Sequence, residues 1–192
     1  DGGNYAVLNP LDRDTAGTAI TDGNLKWSSG NPYNQVTRAT LAVSSGKWYW
    51  EVTGVTLSAW GNVGVADASG SLLNALRSNA GGWVYQGYTG NKANANSYVA
   101  YGATYTDGDV IGVALDMDAG TLTFYKNNVS QGVAYSTGLL GKSICPQMQD
   151  SGGGTSVANI NFGQRPFAYT PPTGFLPLHT GNLPDSTIVD GS

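Results

Sequence analysis

Apolar and polar residues alternate along much of this chain with the period of two that marks β-strands, and no helical period of useful length develops anywhere. The sharpest stretch runs from Asp109 to Asn127. Val110, Gly112 and Ala114 fall on one face and Ile111, Val113 and Leu115 on the other. Both faces are therefore apolar or small, which predicts a strand in the middle of its sheet. Asp116 to Gly120 reads as a turn, after which Leu122 and Phe124 alternate with Thr121, Thr123 and Tyr125, completing a hairpin. Residues 129–135 continue it as a meander.

The same reading predicts strands over residues 47–53, 61–66, 83–88, 98–101, 143–149 and 156–162, with shorter runs at 5–8, 25–27 and 36–43. In the first of these Trp48, Trp50 and Val52 share one face, and Tyr49 and Glu51 the other. Residues 12–23 read as a loop, and residues 89–97, polar and glycine-flanked, as a mobile loop. Residues 69–82 carry Leu72, Leu73 and Leu76 and fit either a short helical turn or a packed loop. Strands about 8 to 12 residues apart with turn signals between them predict an all-β sandwich. Beyond residue 165 the pattern changes, because Pro166, Pro171, Pro172, Pro177 and Pro184 oppose regular ladder pairing. The expected division is a sandwich domain over 1–165 and a Pro-rich extension over 166–192 that packs on the domain and frays after about Pro184.

Composition agrees with this picture: only 11% of residues are charged and 28 are glycine. The net charge is −4, and the nine basic residues form no run, so a surface that tracks phosphates is not expected and nucleic acid is excluded as a partner. No apolar run is long enough to cross a bilayer as a helix, so membrane insertion is not expected. The single cysteine, Cys145, excludes an internal disulfide and reads as a small core residue.

Candidate chemistry is sparse. The one histidine, His179, stands in the Pro-rich tail, a poor place to hold a catalytic base. Glu51 is the only glutamate, and its same-face neighbours Tyr49 and Thr53 offer no second carboxylate for glycoside hydrolysis. Asp116 and Asp118 have the Asp-x-Asp-x-Gly spacing that opens many calcium loops. No acidic residue closes a twelve-residue loop, and a tight hairpin uses the same spacing. No catalytic residue, cofactor or resident metal is expected, with Asp116 and Asp118 the pair to check. Exposed aromatics flanked by Asn and Asp suit sugar rings or peptide side chains. The candidate ligand-binding residues are Tyr33, Trp60, Tyr88, Asn91, Asn94, Asn96, Tyr98 and Asp150, in loops 28–34, 58–60, 89–97 and 150–154.

Several of these strands, in order, resemble the SPRY family. Gly46-Lys-Trp-Tyr-Trp-Glu-Val52 resembles its tryptophan-glutamate-valine motif, and Asp109 to Asn127 its leucine-aspartate motif and hairpin. Gly61-Asn-Val-Gly-Val-Ala66, Tyr101-Gly102 and Ile144-Cys-Pro146 match its glycine-valine strand, aromatic-glycine step and proline-containing strand. The resemblance implies a bent β-sandwich of two antiparallel sheets, a concanavalin-like jelly roll, used for recognition by loops at one end and without chemistry of its own. The segment Asn161-Phe-Gly-Gln-Arg-Pro-Phe-Ala-Tyr-Thr-Pro-Pro-Thr-Gly-Phe175 resembles the stretch C-terminal to SPRY-like domains in structural proteins of tailed bacteriophages. It implies a recognition or adhesion module of a virion tail or fibre protein, cytoplasmic during assembly, that binds a host-surface glycan or protein or other virion proteins. The alternatives are an intracellular SPRY adaptor that holds a short peptide and a purely structural, homo-oligomerising virion domain; a sandwich glucanase comes last.

Overall fold

A computed structural model describes residues 2–14, 17–30, 35–56, 61–70, 81–150, 152 and 154–184. The expectations for residues 71–80, for Tyr33 and Trp60, and for fraying beyond Pro184 lie outside these. In chain order the strands are β1 (Leu8–Arg13), β2 (Ala19–Thr21), β3 (Lys26–Ser28), β4 (Gln35–Ala39), β5 (Lys47–Thr56), β6 (Gly61–Asp67), β7 (Gly82–Gln86), β8 (Asn91–Asn94), β9 (Ser97–Ala100), β10 (Val110–Asp116), β11 (Thr121–Lys126), β12 (Val129–Tyr135), β13 (Ile144–Asp150), β14 (Val157–Asn161) and β15 (Leu176–Pro177). A short 3-10 turn, η1 (Thr180–Asn182), comes after them. No helix among the described residues is long and apolar enough to cross a membrane.

The strands form two sheets. One runs β1-β4-β13-β6-β7-β8-β9 and the other β12-β11-β10-β5-β14-β3-β2, antiparallel throughout except that β15 joins β5 in parallel. The predicted hairpin is present in register, with Val113 opposite Phe124 and Leu115 opposite Leu122, and β10 lies between β11 and β5. Ile111, Val113 and Leu115 point into the core. On the other face Gly112 leaves room for Tyr49, since a Cβ there would stand 2.5 Å from the Tyr49 hydroxyl.

The core between the sheets is aromatic: Trp27, Trp48, Trp50, Tyr85, Phe124 and Phe162 are all fully buried. Tyr85 packs tilted against Phe124 at 5.3 Å and edge-on against Tyr105 at 4.9 Å between ring centroids. Aromatic pairs at such distances add to the area they bury. Cys145 is buried as expected, and burial pushes its thiol up to about 12.

Three expectations are corrected. Residues 12–23 are not one loop: β1 continues through Asn9 and Pro10 to Arg13 across a register shift, and β2 follows. Pro10 is tolerated because β1 is an edge strand. Residues 89–97 are not a mobile loop, since β8 and β9 form a hairpin closed by Ala95 and Asn96, both at positive φ (48° and 60°). That is a type I′ turn made without the usual Asn-Gly pair, which is why composition alone does not reveal it. The prolines of the tail do not prevent all pairing either. Leu176 and Pro177 take the side of β5 that β14 leaves open beyond Glu51, beside Trp48 and Tyr49.

Candidate functional site

Register places one end of the sandwich unambiguously. In the first sheet Asp150 pairs with Gln35 and Gly61, and Asn62 pairs with Gln86, so these residues line one end of four neighbouring strands. In the second sheet Val157 pairs with Thr56 and Ser28 at the same end. Ser28, Gln35, Thr56, Gly61, Gln86, Asp150 and Val157, the strand-end residues that flank three of the four candidate loops, therefore share this end.

A buried carboxylate ties the two sheets together there. Asp150 Oδ2 accepts from Ser29 Oγ at 2.9 Å and from Ser156 Oγ at 2.6 Å, while Oδ1 accepts from the Gly152 N–H at 2.9 Å. The Ser29 hydroxyl also accepts from the Ser156 N–H at 2.7 Å. Asp150 is 1% exposed, so it is not the ligand contact expected from its loop position. Its oxygens face inward, and it positions loops rather than touching a partner.

The described part of the candidate recognition surface is the turn 87–90. The Gly90 N–H donates to Gln86 O and Gly90 O accepts from the Gly102 N–H. Gly90 has φ of 72°, and a Cβ would meet Gly102 O at 2.2 Å, so the turn needs glycine here. The Thr89 hydroxyl donates to the Gln86 side chain and accepts from the Asn91 N–H. Below it Tyr105 is buried; its hydroxyl donates to Tyr85 O at 2.7 Å and accepts from the Val63 N–H at 3.2 Å. Burial holds the Tyr105 phenol far above the ordinary tyrosine range, so it stays a neutral donor. On this support Tyr88 is presented with 59% of its surface exposed.

The other candidates separate. Asn91 stands at the loop-bearing end beside Gln86, whereas Asn94 and Asn96 stand at the opposite end of their hairpin. The Asn94 amide donates to Gly82 O and Asn96 forms the turn, so both have structural work. Tyr98 is 43% exposed in the middle of β9. Tyr33 and Trp60 lie outside the described residues.

The calcium pair is occupied by the hairpin. Asp116 accepts from the N–H groups of Asp118 and Ala119 and pairs with Lys47 at 2.9 Å. Burial opposes its charge, but the Ala119 and Asp118 amides and Lys47 together hold its carboxyl below the usual carboxylate range. Asp118 reaches across to the Gly46 N–H at 2.7 Å. Among the described residues no group of three potential metal ligands comes together. His179 Nδ1 accepts from the Gly181 N–H and caps η1, with its ring against Tyr5.

Sequence reasoning missed the role of Glu51. It is 3% exposed on the outward face of β5, where its carboxylate accepts the N–H groups of Ala168 (2.7 Å) and Tyr169 (2.9 Å) and the Tyr49 hydroxyl (3.1 Å). Phe167 packs edge-on against Tyr49 at 5.1 Å. Burial first, and the Glu51 charge next, drive the Tyr49 phenol far above its ordinary range. The available signal was a lone glutamate flanked by aromatics, with a tail much later in the chain that has aromatics of its own.

Comparison with known proteins identifies the architecture. The SPRY domain family model matches residues 47–165, more than half of the chain, and the chain belongs to that family. A segment of 82 residues, 41% of the chain, is 39% identical to the E3 ubiquitin-protein ligase RKP of Arabidopsis thaliana, and the match spans only 6% of that protein. Among solved structures, the SPRY domain of human HERC1 superposes with a TM-score of 0.72 at 22% identity, covering 83% of this chain and 99% of that one. The TRIM65 PSpry domain gives 0.65 at 15% identity, covering 82% and 93%. At these identities the structural likeness shows the fold. Domains of this family are interaction modules that bind protein partners.

Proposed function

We propose that this SPRY domain binds a short segment of a partner protein at the loop-bearing end, with no chemical step of its own. The observation that carries the reading is Tyr88, 59% exposed on a turn whose every flank is hydrogen-bonded. A large aromatic held outward on a rigid support loses little conformational freedom on binding, which favours it as a contact residue. Asn91 beside it supplies an amide for the main chain of an extended ligand. The relative RKP is named as a ubiquitin ligase, which supports a role in holding a protein partner within a larger chain.

An array of peptides tests this. Binding to at least one extended peptide is expected, lost on Tyr88→Ala with an unchanged melting temperature. Peptide binding that survives both Tyr88→Ala and Asn91→Ala would refute the assignment of the site. The second reading, a virion module that adheres to a host glycan, is supported by the tail segment 161–175 alone, and the named relatives favour the peptide. A glycan array that responds while the peptide array stays silent would reverse that order.

A further inference from the structure

We infer that the free edge of β9 is a second docking site, one that adds an extended strand of a partner protein carrying an acidic side chain. The geometry follows from the I′ turn at Ala95 and Asn96. In a two-residue hairpin the closing pair, Asn94 and Ser97, exchanges hydrogen bonds, and bonded and non-bonded pairs then alternate along the ladder. Lys92 and Val99 are the next bonded pair. Tyr98 and Ala100 therefore direct their N–H and C=O groups away from β8, and no strand lies beyond β9 in its sheet among the described residues. All four residues of β9 are exposed, Tyr98 by 43% and Val99 by 49%.

Edges of this kind are normally blunted by charge, proline, bulges or extreme shortness. The other three sheet edges obey that rule. β1 carries Pro10, Asp12 and Arg13 with a register shift, β12 has two register shifts, and β2 has three residues. β9, Ser-Tyr-Val-Ala, has no charge, no proline and no register shift.

The side chain beside the edge indicates the partner. Lys92, Asn94, Ser97, Val99 and Tyr135 line a hollow of about 180 Å³ on the core-facing side of the hairpin. Its floor is fixed, because the Tyr135 hydroxyl is held at 2.9 Å by both Val84 O and Ala93 O. Lys92 is the only charged group in that lining, its ammonium 5.3 Å above the Tyr135 ring and donating to Ala134 O. A strand added to β9 places one side chain over Val99 beside this ammonium, and a carboxylate there meets a charge complement. A second copy of the hairpin supplies no carboxylate, since Lys92 is the sole charged residue of β8 and β9.

The site is distinct from the Tyr88 end and does not rest on that reading. A blocked peptide of alternating Thr and Val with a central Glu, and its Lys-centred counterpart, are titrated into nitrogen-15-labelled protein. Shift changes and slowed exchange are expected at the Tyr98 and Ala100 amides, with the Glu peptide about tenfold tighter than the Lys peptide, a difference of about 1.4 kcal/mol. Tyr98→Pro removes an outward N–H without breaking a β8 ladder bond, and it should abolish binding. Lys92→Glu should reverse the charge preference and decides the matter where the proline variant does not fold. Equal binding of both peptides, no binding at millimolar concentration, changes centred on Tyr88, or protection of the same amides by dimerisation without peptide would each overturn the proposal.

Discussion

Glu51 accepts the backbone N–H of Ala168 at 2.7 Å, across 117 positions of sequence, and with Tyr169 alongside it fastens the tail to the outward face of β5. Removing the carboxylate leaves two partly buried backbone donors without a partner. Glu51→Ala should therefore cost about 2 to 3 kcal/mol. Thermal unfolding checks the size, and new protease cleavage within residues 166–175 should accompany it. Cleavage unchanged from wild type would mean that Phe167 and β15 hold the tail without Glu51.

Asp150 has the corresponding part at the loop-bearing end. Asp150→Ala should destabilise by about 3 kcal/mol, since Ser29, Ser156 and the Gly152 N–H lose their common acceptor. Asp150→Asn should lose less, because one carbonyl oxygen remains and the serine hydroxyls can turn. Equal stability of wild type and the alanine variant, measured by urea titration, would show that the bridge contributes nothing.

Gly64 sits opposite Val84 in the β6–β7 ladder. A Cβ at this position would lie 2.1 Å from Trp83 O, a backbone atom that cannot step aside. Gly64→Ala should cost about 1 to 3 kcal/mol, seen as a lower melting temperature.

Ala95 has a left-handed φ of 48° without the freedom of glycine. Ala95→Gly should raise stability by up to about 1 kcal/mol, the relief at φ > 0 exceeding the added entropy of the unfolded chain. A lower melting temperature would argue against the I′ assignment on which the free edge of β9 depends.

Asp67, Asp109 and Asp116 all have carboxyls held below their ordinary range, burial being outweighed in each by hydrogen bonds and by Lys142, Lys126 and Lys47 respectively. Between the depressed folded value and the unfolded value near 3.8 the unfolded chain binds more protons, so stability rises with pH there. The contribution is complete above the unfolded value and is lost as pH falls through the folded ones. Melting temperature should drop steeply below about pH 4, and less steeply in Asp116→Asn.

Much of this protein is determined locally. The period-two pattern of residues 110–126 needs no distant contact to define a hairpin, and Trp48, Trp50 and Val52 identify the inward face of β5 by alternation alone. The motifs around them suffice to mark the family. The β8 and β9 hairpin was hidden because Ala-Asn is not a turn signature, and its left-handed backbone is imposed by the pairing of Asn94 with Ser97. Residues 89–97 look like a loop in composition and are a sheet edge in space.

Chemistry was less legible than architecture, for a physical reason. A carboxylate's role depends on which donors surround it, and those come from segments far apart in sequence. Asp150 looked like a loop ligand and holds Ser29 and Ser156 together, while Glu51 looked like an isolated acid and anchors the tail. Side-chain type and spacing determined the central strands, the aromatic core and the family. Only the tertiary structure, by bringing distant N–H and O–H groups to those two carboxylates, decided which polar residues stabilise the sandwich and which side chains, like Tyr88, stand exposed.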